Sequence, residues 1–257
     1  SMGCREAWGE VPGPVYLEIP RDLLDRSIEL QDCVIPAAGH YRFSCKVMCS
    51  PPEIEKLADL LVHAEKPAAL FGSQVWNGRS HREALELIRT FDIPAYTNGS
   101  ARGIFRNDDP LSFDRTRDKA LAEADVILVV GTPFDFRLGY GKSLNPAAKV
   151  IQIDQNYSVI GKNRDIELGL LGHAGTIFRA VVDAVSGNEK RKMAMKRKEW
   201  IATLRSAEAE ALEKLMPLFK SENSLINPYR VAYELNEFLE ENTIYVGDGG
   251  DVVTISA

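Results

Sequence analysis

The sequence predicts an α/β protein built on a parallel β-sheet with helices on both faces, followed by a helical C-terminal arm. Short apolar runs rich in β-branched residues, such as Val126–Val130 and Val150–Ile153, are typical of strands buried on both faces. These runs alternate with amphipathic stretches of helical length, and turns containing Gly or Pro separate them. Strands and helices that alternate in this way form Rossmann-like parallel sheets through right-handed crossovers.

The composition is that of an ordinary soluble protein. With 257 residues, 45% of them hydrophobic and 26% charged, the chain can bury a substantial core. The net charge of −6 argues against a nucleic-acid partner, and the basic run Lys190–Lys198 is interpreted as the solvated face of a helix. No apolar window is long enough to span a bilayer, and nothing resembles a signal peptide, so we expect a cytoplasmic protein without a membrane partner. The cysteines are interpreted as free thiols rather than as a disulfide or zinc site: Cys4, Cys33, Cys45 and Cys49.

The first fifty residues show little periodicity. Cys4–Glu10 is typical of the last turns of a helix, and Ser1–Gly3 before it resembles an expression scar. Val15–Ile19 lies between two Pro-containing turns and is predicted to be a strand. Residues 31–50 are expected to form a surface linker.

From Ser50 onward the pattern becomes regular. Ser50 and Glu53 have the spacing of a capping box, which predicts that a helix begins there. The elements predicted after this helix are a strand at Pro67–Gly72, a helix at Ser80–Phe91, a strand at Ile93–Thr97, a helix at Thr116–Ala124, strands at Val126–Val130, Val150–Ile153 and Asp165–Leu171, and a helix at Ala174–Val185.

The C-terminal part has a different character. Asn188–Phe219 is predicted to be one long helix, and a second helix is predicted from Pro228 to about Leu239. Thr243–Val246 is predicted to be a strand that leads into a glycine-rich loop, which suggests a segment taken from a larger protein. We therefore predict three units: residues 1–35, 36–187 and 188–257.

Two turns after predicted strands are candidates for nucleotide contact. Gly72-Ser73-Gln74 follows the first core strand, although its spacing is not that of a dinucleotide fingerprint, and it could be an ordinary turn. The turn Asn98–Gly103 has two glycines that permit close backbone approach, and Arg102 offers donors suited to phosphate. A solvated Arg102 in a plain turn is the alternative interpretation.

The strongest candidate site follows Val126–Val130. Gly131 and Thr132 begin a loop in which Phe134 and Phe136 could flank a flat ring and Arg137 could pair with a phosphate. A local ion pair between Arg137 and the neighbouring Asp135 is the alternative. Asp154 ends the next strand, where an acidic residue commonly accepts ribose hydroxyls, although it could equally begin an Asx-turn.

A last loop, Gly247–Asp251, follows the predicted C-terminal strand. Backbone N–H groups of Gly249 and Gly250 could cradle a diphosphate, and Asp251 completes the loop. No Ser/His/Asp or Cys/His set and no pair of acids stands in a recognisable motif, so no catalytic or metal-binding residue is predicted in this chain.

Several of these runs resemble the central domain of thiamine-diphosphate-dependent enzymes of the acetolactate synthase and 2-hydroxyacyl-CoA lyase type. The specific matches are the run GTPFDFRLGYG from Gly131 to Gly141 and the run KVIQIDQNYSVIGK from Lys149 to Lys162. Pro12–Asp25 resembles the exit from a preceding pyrimidine-binding domain, and Gly247–Asp251 resembles the start of a diphosphate-binding domain.

The resemblance implies that residues 1–35 are the tail of the pyrimidine-binding domain and a linker. It implies that 36–187 form the central domain, and that 188–257 form a helical connector and the start of the diphosphate-binding domain. The parent enzyme would use thiamine diphosphate and Mg²⁺ to act on 2-keto acids or 2-hydroxyacyl thioesters, as a homo-oligomer (dimer or tetramer). The glutamate that activates the cofactor and the metal-binding motif belong to other parts of such enzymes, so this chain alone is predicted to be inactive.

The resemblance also implies where a nucleotide would bind. It places FAD or ADP at Arg102, Gly131 to Phe134, Arg137 and Asp154. Thr132-Pro133 stands where synthases commonly have Ala-Arg, which weakens the expectation of FAD. Two alternatives from other classes are a stand-alone NAD/FAD-type nucleotide-binding module and a purely structural spacer.

Overall fold

The structure, a computed structural model, describes residues 2–9, 11–35, 37, 40, 45–240, 242, 243, 245, 250 and 255. Its centre is a five-stranded sheet in the order β2-β1-β3-β4-β5, in which every neighbouring pair is parallel. The strands are β1 (Pro67–Phe71), β2 (Ala95–Thr97), β3 (Val126–Val130), β4 (Lys149–Asp154) and β5 (Leu168–Leu171). The predicted α/β class and parallel sheet are therefore confirmed.

Helices connect the strands and extend the chain at both ends. They are α1 (Met2–Ala7), α2 (Arg21–Leu24), α3 (Pro51–His63), α4 (Ser73–Asn77), α5 (His81–Phe91), α6 (Arg117–Glu123), α7 (Ala174–Asp183), α8 (Gly187–Phe219) and α9 (Pro228–Phe238). The capping box predicted for α3 is present, because the side chains of Ser50 and Glu53 bond reciprocally to backbone groups. No helix among the described residues combines the length and the apolar composition needed to cross a membrane.

The strands are apolar without alternation because successive side chains enter two separate cores. In β3, Leu128 belongs to one core and Ile127 to the other. Helices α3, α5 and α7 fill the first core. Helix α6 fills the second core, together with Trp200 and Leu204 of α8.

The first part of α8 is fixed to the sheet by polar contacts as well. Arg197 is fully buried, and its guanidinium donates to the carbonyl oxygens of Leu61 and Ala64 at the end of α3. The indole Nε1 of Trp200 donates to the carbonyl oxygen of Pro67 at 2.9 Å. These contacts attach the part of α8 around Arg197 and Trp200 to α3 and β1, and the assignment of residues 188–257 to a connector stays a prediction.

Two local predictions differ from the structure. Val15–Ile19 is not a strand: it has no regular secondary structure, and Tyr16 and Leu17 are exposed. An apolar run becomes a strand only where another strand completes its hydrogen-bond ladder, and the described residues offer none here. Thr243 and Tyr245 lie in no strand either, and the other residues of the predicted strand at 243–246 lie outside the described part.

Candidate functional site

The carboxyl ends of four strands meet at one edge of the sheet. The amide of Gly72 donates to Val130 at 2.7 Å, and the amide of Gly131 donates to Ile153 at 2.9 Å. These bonds extend the ladders one residue beyond β1 and β3. The chain leaves β1 toward β2 and returns on its other side as β3, so the switch point of this doubly wound sheet lies between these two ends. Ligands of open α/β sheets bind at such a position.

The two glycines at the switch point allow the chain to pack on itself. Gly131 has a φ of +61°, and a Cβ placed there would lie 2.5 Å from the Cβ of Gln74. A Cβ on Gly72 would lie 2.4 Å from the carbonyl oxygen of Gly131. Both distances are far inside van der Waals contact, so this crevice is filled by the chain's own atoms.

Replacing Gly131 with alanine is therefore expected to lower the free energy of unfolding by about 2 kcal/mol, through left-handed backbone strain together with overpacking against Gln74. Gly103→Ala is the matched control. Its φ of +83° is also left-handed, but a Cβ there would meet nothing within 4 Å, so only the backbone cost of about 1 kcal/mol remains. Urea unfolding of both variants measures the difference, and equal losses would contradict the steric role of Gln74.

Asp154, at the end of β4, is buried, and one of its two carboxylate oxygens accepts two hydrogen bonds. Its Oδ1 accepts from Nε2 of Gln74 at 2.8 Å and from the amide of Asn156 at 2.7 Å. None of the ion pairs among the described residues includes Asp154. Burial raises the pKa of Asp154, while the hydrogen bonds from Gln74 and from the backbone act in the opposite direction. Val130 pairs with Ile153 in the sheet, so Asp154 lies next to Gly131, as the sequence predicts.

Arg137 forms the ion pair with Asp135 that the sequence allows as an alternative. The Arg137 Nη2 lies 2.5 Å from Oδ2 of Asp135, and Nε contacts both carboxylate oxygens at 3.1 and 3.0 Å. The guanidinium lowers the pKa of Asp135 by hydrogen bonding. The remaining Nη1 of Arg137 lies 3.8 Å from the position a Cβ would take on Gly99. Arg137 therefore reaches across from the loop after β3 to the loop after β2.

The end of β2 carries a buried amide that has no partner. Asn98 is 5% exposed, and its Nδ2 makes no hydrogen bond with any described residue. Its own backbone amide donates to Phe71 at 2.8 Å, which places it directly beside β1. The adjacent Ser73 hydroxyl accepts from the amide of Ser100 at 3.1 Å. Buried donors are almost always satisfied in native proteins, so this amide is a candidate ligand contact.

The other predicted residues do not all join this group. Thr132 is buried, and its Cβ lies 2.5 Å from the Cβ position of Gly72. Arg102 is exposed, and its charge acts on Asp114, where it lowers the pKa that desolvation and Glu208 raise. The structure therefore brings Gly131, Thr132 and Asp154 together around Gly72 and Gln74. Arg137 lies at the same edge beside the Gly99 loop, and Arg102 is exposed.

The predicted aromatic pair does not form a slot for a flat ring. Phe134 is 2% exposed and lies in the second core, because its ring packs inward below the loop. Phe136 is 73% exposed, and the guanidinium of Arg137 lies 5.9 Å from its ring centroid. Two rings in such different environments cannot enclose one ligand between them.

Of the C-terminal loop, Gly249 and Asp251 lie outside the described residues. Gly250 is exposed and has a φ of +63°. The role predicted for these three residues stays a prediction.

Gln74 and Asn98 lie in the two turns that the sequence predicts as candidates for nucleotide contact, but no role is predicted for either side chain. Both are polar residues placed one to three positions after an apolar strand, and that placement was the available signal. Two surface recesses lie elsewhere, one of about 350 Å³ along α5 and one of about 300 Å³ beside Trp200, and neither is lined by a predicted site residue. No cluster of His, Cys, Asp or Glu in the described part of the chain is arranged to hold a metal ion.

Comparison with known proteins places this geometry in a family. Residues 54–181 match the family model of the thiamine pyrophosphate enzymes, central domain. The chain is 28% identical to 2-hydroxyacyl-CoA lyase 2 of Bos taurus over 96% of this chain and 44% of that protein. It is 34% identical to a probable acetolactate synthase of Mycobacterium bovis over 77% of this chain and 35% of that protein. A probable acetolactate synthase large subunit of Methanocaldococcus jannaschii is 30% identical over 93% of this chain and 42% of that protein.

The matched region coincides with the sheet: it begins inside α3 and ends inside α7. The chain spans less than half the length of each of these three relatives. The sheet and its covering helices belong to the thiamine pyrophosphate enzymes, as the central domain of that family.

Proposed function

We propose that this chain is the central part of an enzyme that joins or cleaves a carbon–carbon bond next to a carbonyl group, acting on 2-keto acids or 2-hydroxyacyl thioesters. The observation that carries the proposal is the match of residues 54–181 to the central domain, supported by the similarity to acetolactate synthases and 2-hydroxyacyl-CoA lyases. Thiamine diphosphate, when bound with Mg²⁺, supplies the carbanion chemistry of such reactions. We further propose a cytoplasmic homo-oligomer, a dimer or a tetramer.

The residues of this chain have a supporting role in that proposal. The matched model is a central domain, and we place the glutamate that activates thiamine diphosphate and the Mg²⁺ site on other parts of the enzyme. This chain on its own is therefore expected to be inactive.

The strand ends form the proposed nucleotide site of this domain, with ADP or FAD as the ligand. The unpartnered amide of Asn98 and the nearby guanidinium of Arg137 fit an anionic phosphate group. Asp154 fits a pair of ribose hydroxyls. Because Asp154 accepts a hydrogen bond from Gln74, the place where the ribose would bind is occupied by a side chain of this protein.

The proposed reaction is tested with the protein that its gene encodes, compared with the 257-residue chain. We expect the encoded protein to condense a 2-keto acid such as pyruvate, or to cleave a 2-hydroxyacyl-CoA, only when thiamine diphosphate and Mg²⁺ are present. The isolated chain should show neither reaction. The free 2-hydroxy acid is the matched control for the thioester. Turnover that persists after thorough removal of thiamine diphosphate would contradict the proposal, and so would an encoded protein that binds thiamine diphosphate but acts on neither substrate class.

A further inference from the structure

Gln74 occupies the centre of the switch point. It lies in the first turn of α4, and its Cβ stands against Gly131, which has no side chain to exclude it. Its backbone follows Gly72, where the ends of β1 and β3 touch. The side chain of Gln74 therefore starts in the crevice where a ligand of this kind of sheet would enter.

Both ends of the Gln74 amide are used. Nε2 donates to Oδ1 of Asp154 at 2.8 Å, and Oε1 accepts from the amide of Gln155 at 3.0 Å. The amide thus bridges the loop after β1 to the loop after β4 and covers the carboxylate of Asp154, which is 2% exposed. An N–H donor on a buried carboxylate is the same type of contact that a ribose hydroxyl would make.

The other end of the site is different. The Nδ2 of Asn98 has no partner among the described residues, and Arg137 Nη1 lies beside the Gly99 loop. The exposed guanidinium of Arg137 offers a donor for an anion there. Oδ1 of Asp154, one of the two carboxylate oxygens that could accept from a ribose, is already engaged.

From this contrast, and resting on the proposed nucleotide site, we propose that Gln74 is an internal latch that holds Asp154 in place of a ribose, so that a nucleotide gains its ribose contacts only when Gln74 turns away. Binding of a nucleoside diphosphate must then break two hydrogen bonds within the protein before it forms its own. Inorganic pyrophosphate has no ribose, so its binding leaves both hydrogen bonds of Gln74 intact.

The test measures binding by calorimetry on the full 257-residue chain, with ADP, FAD and inorganic pyrophosphate as ligands. Gln74→Ala removes the latch, and Gln74→Met removes its hydrogen bonds while keeping its length, which preserves the test if the alanine variant does not fold. We expect both variants to bind ADP about tenfold tighter than the wild type or better, since two hydrogen bonds no longer oppose binding. Pyrophosphate affinity should stay unchanged. Gln155→Ala is the matched control, because only its backbone amide takes part in the bridge.

The outcomes separate the latch from the nucleotide site. If the wild type binds ADP and the Gln74 variants bind it no more tightly, the latch is overturned and the nucleotide site stands. An equal gain for ADP and for pyrophosphate also overturns the latch, because the ribose would then not be involved. If neither the wild type nor the variants bind ADP or FAD, both proposals fail and the domain is a structural spacer.

Discussion

Replacing Arg197 with alanine is expected to lower the free energy of unfolding by about 4 kcal/mol, because two buried carbonyl groups lose their donors and a cavity forms in place of the long side chain. The side chain is 0% exposed, and its donors satisfy the carbonyl oxygens of Leu61 and Ala64 at the end of α3. Burial lowers the pKa of Arg197 to about 10, although the charges of Asp92 and Asp125 oppose that shift. Alanine would leave these carbonyls without donors and a cavity between α3 and α8.

Urea unfolding monitored by tryptophan fluorescence and by circular dichroism measures this loss. Arg197→Met refills most of the volume but restores no donor, so its loss should be intermediate. Lys198→Ala is the control, because Lys198 is the exposed neighbour on the same helix and should change stability by less than about 0.5 kcal/mol. An Arg197→Ala variant as stable as the control would show that these hydrogen bonds do not hold α8 to the sheet.

Replacing Glu208 with glutamine is expected to lower the free energy of unfolding by about 3 kcal/mol at neutral pH, because one carboxylate serves four donors. It accepts from the amides of Asp114, Arg115 and Thr116 at 3.3, 2.9 and 3.1 Å, and from the Thr116 hydroxyl at 2.8 Å. These amides belong to the two residues before the N-cap of α6 and to that N-cap, Thr116, whose N–H group has no partner within the helix. An anion at this end also interacts favourably with the helix dipole.

The effect of Glu208 should depend on pH. Partial burial raises the pKa of Glu208, but the hydrogen bonds from Arg115 and Thr116 outweigh it and lower the pKa below the ordinary value of 4.5. The unfolded chain therefore takes up this proton at a higher pH than the folded chain does. The stabilisation by Glu208 is complete at any pH above the pKa that this group has in the unfolded chain. It is lost as the pH falls through the lower pKa that the group has in the folded chain. The difference between the wild type and Glu208→Gln should then shrink on acidification below about pH 4.5.

Urea unfolding at pH 7, 5 and 3.5 checks this dependence. Glu210→Gln, an exposed residue two positions further along α8, serves as the control and should show a small effect at every pH. A constant difference between the wild type and Glu208→Gln across this range would mean that the ionised carboxylate is not what caps α6.

The sheet was predictable because its strands are buried on both faces and therefore read as continuous apolar runs. β3 has the same ends as the apolar run Val126–Val130, and β4 is longer than the apolar run Val150–Ile153 by one residue at each end. β2 is shorter than its run because Pro94 has no N–H to add to the ladder, and it begins only at Ala95. Placing Gly131 beside Asp154 required only that two consecutive strands be neighbours.

Features that depend on distant partners were not predictable. Gln74 reads as a turn residue until the sheet order brings Asp154, 80 positions away, within hydrogen-bond distance. Arg197 lies in a basic run that is typical of a solvated face, and its burial follows only from the position of the end of α3. The position of Phe134 in a loop predicts a ligand contact, whereas its ring packs into the second core below that loop.

The attachment of α8 has a consequence for synthesis on the ribosome. The contact of Trp200 with Pro67 joins residues 133 positions apart, and Trp200 and Leu204 cover one face of the sheet. All five strands leave the exit tunnel before this cover does, so the nascent sheet carries an open apolar face for the time needed to translate α8. Exposed surface of this kind is what chaperones recognise and what drives aggregation. A gene truncated at the end of α7 would make that interval permanent.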